Sequence, residues 1–125
     1  MADESRRWLA SRSDELLPVP YHHVVFMVPD DLREIIEAHQ KRLYPVLMQA
    51  AATALVEVAE SPEYLGGTPA VMSTLHTWSN TLMQHFHVHC LVSAGGVDDQ
   101  GQWHAAKGGR IAPDSVFGKA FRTNL

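Results

Sequence analysis

The period of apolar and polar positions changes several times along the chain, and each change marks an element. Residues 5–17 predict a short helix, with Trp8, Leu9, Leu16 and Leu17 offering apolar contacts, ended by Pro18-Val19-Pro20. Tyr21-His22-His23-Val24-Val25-Phe26-Met27-Val28 follows, a β-rich run between prolines whose mostly apolar character predicts a strand covered on both faces. After Pro29 a helix is expected to start, with Asp31 as its cap and Glu34 at the capping-box position. Its pattern runs through Ile35, Ile36 and His39 to Leu43, and a break or kink is predicted at Tyr44-Pro45, with Pro45 opening a second segment. In that segment Val46, Leu47, Ala50, Ala54, Leu55 and Val58 form one apolar stripe suited to a sheet. Ser61-Pro62 and Gly66-Gly67 stop it.

The second half switches to period two. Ala70–Trp78 and His85–Val92 both read as strands, and the short link between them favours an antiparallel hairpin. A pairing symmetric about that link sets Trp78 opposite His85, His76 opposite His87 and Thr74 opposite His89, and a slip of one residue would undo it. Gly95-Gly96 and Asp98-Asp99-Gln100-Gly101 are turn chemistry, with a short strand at Gln102–Ala105. Ala112-Pro113-Asp114-Ser115 opens a last helix through Val116, Phe117, Ala120 and Phe121, expected to be barely formed where the sequence stops. The expectation is one α+β domain over residues 1–125. It has an antiparallel sheet with the histidine-rich strand at its centre, helices packed on one face, and an incomplete C-terminal end.

Composition narrows this only a little. At 125 residues, 46% hydrophobic and 19% charged, the chain suits a single soluble globular domain. No apolar run is long enough to span a bilayer, and no membrane partner is expected. The charged start does not resemble a signal peptide. A single cysteine, Cys90, rules out an internal disulfide framework and fits a reducing, cytoplasmic setting; a small buried apolar role is expected for it. The net charge of −4 argues against general nucleic-acid coating. Its distribution is uneven, with seven acidic against three basic residues over 30–63, and Lys107, Arg110, Lys119 and Arg122 against Asp114 alone over 100–125. These four cations are candidate phosphate contacts, although a solvated surface accounts for them equally well.

The chemistry concentrates in His85-Phe86-His87-Val88-His89-Cys90. On a strand, alternate residues share a face, so His85, His87 and His89 line one side while Phe86, Val88, Cys90 and Val92 line the other. Crowded imidazoles repel when protonated, and a divalent cation relieves that repulsion. His87 and His89 are candidate metal ligands, with His85 and His76 as geometric candidates for a third. Asn80 and Gln84 are polar loop residues that can contact a ligand histidine or nucleic acid. No glutamate follows the histidines as a cupin requires, no aspartate adjoins them as in metallo-β-lactamases, and an amidohydrolase barrel needs far more chain. A His-hydrophobic-His pair holding one divalent ion against a DNA phosphate remains.

Taken together, these segments resemble the rolling-circle insertion-sequence transposases of bacteria, of the His-hydrophobic-His, two-tyrosine kind. Arg7-Trp8-Leu9-Ala10 with Glu15-Leu16-Leu17-Pro18-Val19-Pro20-Tyr21 is similar to that family's approach to its first strand, and His23-Val24-Val25-Phe26 with Pro29 to the strand itself. Leu75-His76-Thr77-Trp78 with His85–Cys90 resembles its central hairpin, and Val116-Phe117 through Phe121-Arg122 the segment after it. Phe86 stands where the family usually has proline. The resemblance implies an HUH-endonuclease-like fold and metal-dependent nicking of single-stranded DNA with strand transfer, with magnesium or manganese held by His87 and His89. Ligand softness alone would favour zinc or nickel.

The family's N-terminal zinc module and its downstream nucleophilic tyrosines have no counterpart in these 125 residues. Tyr21, Tyr44 and Tyr64 all precede the histidines and read as structural. The sequence therefore predicts the metal-binding half of a transposase catalytic domain, with no catalytic nucleophile identified. The other reading it allows is a non-catalytic remnant, or a small DNA-binding or interaction module that keeps the fold.

Overall fold

The computed structural model describes Arg7, residues 16–78 and residues 84–125. Most of the helix predicted over residues 5–17 lies outside the described residues, as do Asn80 and the side chains of Trp78 and Gln84. Leu16 and Leu17, at the end of that span, are not helical. Leu17 instead donates its backbone N–H to the Tyr21 hydroxyl at 3.0 Å.

Three strands, β1 (Tyr21–Met27), β2 (Val71–Trp78) and β3 (Gln84–Ser93), form an antiparallel sheet in the order β1-β3-β2. The histidine-rich strand is thus central, as the family resemblance implies. A second, two-stranded sheet joins β4 (Gly95–Val97) to β5 (Trp103–Ala105). Helices α1 (Arg33–Ala38), α2 (Gln40–Glu60) and α3 (Asp114–Thr123) complete the fold.

Strand alternation divides the sheet chemically. Val24, Phe26, Phe86, Val88, Cys90 and Val92 are buried on one face, where they share a core with Leu47, Ala51, Ala54, Leu55 and Val58 of α2 and Phe117 and Phe121 of α3. The alanines on α2 let a 21-residue helix lie close to the strands. Phe121 closes the layer by stacking on Phe26, with ring centroids 4.7 Å apart. Each such fully buried aromatic or leucine contributes about 1.5–3 kcal/mol through removal of its surface from water. Ser93, at the end of β3, is buried but satisfied, donating to the Gly95 carbonyl at 2.7 Å and accepting from the Ala70 N–H at 2.9 Å.

Several expectations are corrected. β1 is unevenly covered among the described residues, with Val24 and Phe26 buried on one face while His23 and Val25 on the other are half-buried and Met27 is 56% exposed. Neither Asp31 nor Glu34 makes a side-chain cap; Pro29 precedes a short 3-10 turn over Asp30–Leu32. The helical break falls at His39 (φ −133°, ψ 42°), not at Tyr44-Pro45, and Pro45 lies inside α2. The His39 carbonyl accepts from both Arg42 and Leu43 and so starts the new helix. Pro45 is tolerated there because the carbonyl it cannot bond, that of Lys41, belongs to an exposed residue that water can serve.

Gly95 and Gly96 are strand residues, not turn residues. A Cβ on Gly95 would sit 2.6 Å from the His104 carbonyl, and one on Gly96 would sit 2.8 Å from the Thr68 backbone. The last helix is fully formed over ten residues, and the Asn124 side chain donates to the Ala120 carbonyl at 2.8 Å to finish it.

Two substitutions test this packing. Pro45→Ala restores the missing helical hydrogen bond and is expected to raise stability by about 1–3 kcal/mol in urea unfolding. Leu55→Ala is expected to lower it by about 2–5 kcal/mol. A destabilised Pro45→Ala chain would show that the helix depends on a bend at that residue.

Candidate metal centre

The face of the sheet opposite the helices carries the imidazoles. Antiparallel pairing sets His76 across from His87, Thr74 across from His89, and on the other side Met27 across from His87 and Val25 across from His89. Directly paired residues point the same way, so three strands deliver His23, His76, His85, His87 and His89 to one surface. A register shift between His76 and Trp78 pairs Trp78 with Gln84 and not with His85. The two inner pairings expected from the sequence hold, and the outermost is displaced by that irregularity.

The rings are close together. His76 and His89 have centroids 4.1 Å apart, His23 and His89 5.3 Å, and His87 lies 6.3 Å from both His85 and His89. His23 Nε2 and His89 Nδ1 are 3.2 Å apart, and His87 Nδ1 is 2.8 Å from the Met27 sulfur. His87 and His89 are 3% and 0% exposed. Histidine is seldom so completely buried, and both lie on the central strand, paired on either side.

The outer candidates differ. His85 keeps partial exposure at the edge, with Nδ1 3.3 Å from an Asp30 carboxylate oxygen, so a carboxylate already serves it. His76 sits against His89 and is the better placed of the two. His23 was not singled out by the sequence. The signal was present in the adjacent His22-His23 pair, because one of two neighbours on a strand must face the imidazole side.

His22 takes the other face. It lies near the Phe117 ring and 3.8 Å from an Asp114 carboxylate oxygen. Burial, reinforced by Arg110, pulls the His22 pKa below the ordinary value against the opposing pull of Asp114. Burial also lowers that of His23, helped by His22 and His76.

In kind these donors suit a divalent cation, since imidazole nitrogens ligate such ions at about 2.0–2.1 Å. Among the described residues no group of three or more His, Cys, Asp or Glu side chains is already converged on one point. Three-fold coordination by His76, His87 and His89 therefore requires ring rotation within the cluster.

Cys90 takes no part, being wholly buried on the core face with its sulfur accepting from the Ser73 hydroxyl at 3.2 Å. Burial pushes its thiol up to about 11. The cations Lys107, Arg110, Lys119 and Arg122 are all exposed, and Arg110 pairs with Asp114 at 3.3 Å. Lys119 and Arg122 ride on α3, on the helical side of the sheet, so the fold does not bring them to the histidine face.

None of the three tyrosines is presented as a nucleophile. The Tyr21 hydroxyl is engaged by Leu17, Tyr44 packs edge-on against Phe86 on the core side, and Tyr64 packs against the core. Burial and then the nearby Glu37 raise the Tyr44 pKa, the wrong direction for attack.

Residues 70–125 match the protein family described as "Putative transposase". Over 117 residues, 93% of its length, the chain is 38% identical to "Putative transposase y4qJ" of Sinorhizobium fredii (strain NBRC 101917 / NGR234). Over 97 residues, 78% of its length, it is 33% identical to "Transposase for insertion sequence element IS801" of Pseudomonas savastanoi pv. phaseolicola. It spans 29% and 23% of those two relatives, less than a third of either. Among solved structures, the metal-bound complex of the conjugative relaxase TrwC with oriT DNA aligns with a TM-score of 0.50, covering 81% of this chain and 41% of that one at 15% identity. That likeness is one of fold, an α+β architecture built on an antiparallel sheet. No helix among the described residues is long and apolar enough to cross a membrane.

The lowered pKa values of His22 and His23 set the sign of a pH effect. Both are depressed in the folded state, so their neutral forms are favoured and stability is full above about pH 6.5. As pH falls below that value the unfolded chain takes up protons first, and stability is lost through the depressed folded values. The thermal midpoint is therefore expected to drop between pH 7.5 and 5.5, a range that leaves most carboxylates ionised, and to drop less in His22→Gln. A flat profile in the parent would contradict this.

Proposed function

We infer that this chain, which over residues 70–125 belongs to a transposase family, provides the metal-binding half of a single-strand DNA-nicking site in which His76, His87 and His89 hold one divalent cation. The observation that carries the reading is the placement of these three residues on one sheet face by strand register, with the His76 and His89 rings 4.1 Å apart. The fold shared with a relaxase solved with DNA and metal supports the same assignment. Magnesium or manganese is the cation of this reading, single-stranded DNA the partner, and the cytoplasm the setting in which Cys90 stays reduced.

When bound, such a cation would polarise the scissile phosphate and stabilise charge developing on its oxygens. The chain's own contribution is positional. β3, paired on both edges, holds His87 and His89 two residues apart on a rigid element, and β2 brings His76 alongside. Neutral imidazoles are needed for ligation, since a protonated ring has no lone pair to give. The attacking tyrosine of this reaction comes, in our reading, from sequence beyond these 125 residues, because Tyr21, Tyr44 and Tyr64 are all committed to packing or backbone contacts. The same observation favours a second reading, in which the chain binds DNA without cutting it.

Manganese is expected to raise the thermal midpoint of the chain, corresponding to about 2.7 kcal/mol at one hundred times the dissociation constant. His87→Ala combined with His89→Ala should abolish the rise. No shift in the parent chain would contradict the metal site. Incubation of the chain with single-stranded oligonucleotides and manganese should leave no covalent protein–DNA adduct, and an adduct on Tyr44 or Tyr64 would overturn our view of the nucleophile.

A further inference from the structure

The imidazole face includes two contacts that the transposase reading does not use, and both involve β1. His87 Nδ1 lies 2.8 Å from the sulfur of Met27, and His89 Nδ1 lies 3.2 Å from Nε2 of His23. In each case it is the Nδ1 atom of a candidate ligand that meets the neighbouring strand. We propose that β1 is the outer shell of the cation site, Met27 and His23 fixing the tautomers of His87 and His89 so that both ligate through Nε2. This rests on the reading of His87 and His89 as metal ligands.

As a hydrogen bond, the His87 contact has one sense: a thioether sulfur carries no proton and can only accept, so the proton belongs to His87 Nδ1. A neutral imidazole has a single N–H, which leaves a lone pair on Nε2. The His89 contact has two possible senses, because either ring can donate. If His23 donates from Nε2, the neutral His89 carries its proton on Nε2 and cannot ligate there. If His89 donates from Nδ1, its Nε2 keeps a lone pair. Only the second sense makes His89 a ligand equivalent to His87.

The fold makes these contacts reproducible. β1 pairs Met27 directly with His87, while His23 reaches His89 diagonally from a position paired with Leu91. The His23 and His89 rings are within 27° of parallel, held by a sheet edge and not by a loop. Ligating histidines commonly anchor their second nitrogen in this way, and removal of such a partner weakens metal binding by about 10–100-fold. His23 and Met27 are thus positioning residues, with no contact to DNA required of them.

The test combines nitrogen-resolved NMR of the histidine rings with manganese binding read from the electron paramagnetic resonance of the free ion. In the metal-free chain the ring proton of both His87 and His89 should lie on Nδ1. His23→Phe, which keeps a ring but removes the acceptor, should move the His89 proton toward Nε2 and weaken manganese binding about 10–100-fold. His23→Gln, which supplies an accepting oxygen, should stay near the parent in both readouts. A proton on His89 Nε2 in the parent would overturn the proposal, as would unchanged binding in His23→Phe. Loss in His23→Gln equal to that in His23→Phe would also overturn it, showing that His23 is itself a ligand. Nδ1-protonated rings in a chain that takes up no manganese would uphold the tautomers assigned to β1 and remove the metal reading alone.

Discussion

Pairing of β3 along both of its edges is the constraint from which the rest of the structure follows. A strand hydrogen-bonded on both sides cannot slip, and a slip of one residue would exchange its two faces. Because it cannot slip, Phe86, Val88, Cys90 and Val92 must enter the core while His87 and His89 must face away from it. The apolar side is sealed by α2 and α3, and their burial supplies the energy that holds the imidazole side in place. Five histidines on one surface would otherwise be an unfavourable arrangement, especially once any of them is protonated.

The site is consequently built by the sheet and not by loops. Each ligand candidate sits on a strand, and each strand is locked by its partner, which suits chemistry that depends on donor positions to within a fraction of an ångström. The cost appears as depressed proton affinity in His22 and His23, where burial opposes the charged form.

Much of this was legible in the sequence because it depends on a period of two. The alternation in His85–Cys90 identified both faces, and the short hairpin link set His76 against His87 and Thr74 against His89, as observed. His23 was not legible in the same way, because its role depends on the register of β1 against a strand more than sixty residues away, which local pattern does not encode. The helix break was misplaced for a related reason. Proline is a strong local signal, but at Pro45 the helix bears the cost of a missing hydrogen bond next to the exposed residue Lys41, and the break falls at His39 instead. Lys107, Arg110, Lys119 and Arg122, which composition offers equally as phosphate contacts or as a solvated surface, are all exposed, and composition does not reveal that Lys119 and Arg122 belong to the helical side.

In the proposed site His76, His87 and His89 share one divalent ion. Crystals of the chain grown with manganese, with anomalous scattering recorded at the manganese edge, test this most directly. A single strong peak at about 2.0–2.3 Å from one nitrogen of each of these three histidines is the predicted result. A peak held by the exposed carboxylates with none among the imidazoles, or no peak at all, would contradict it.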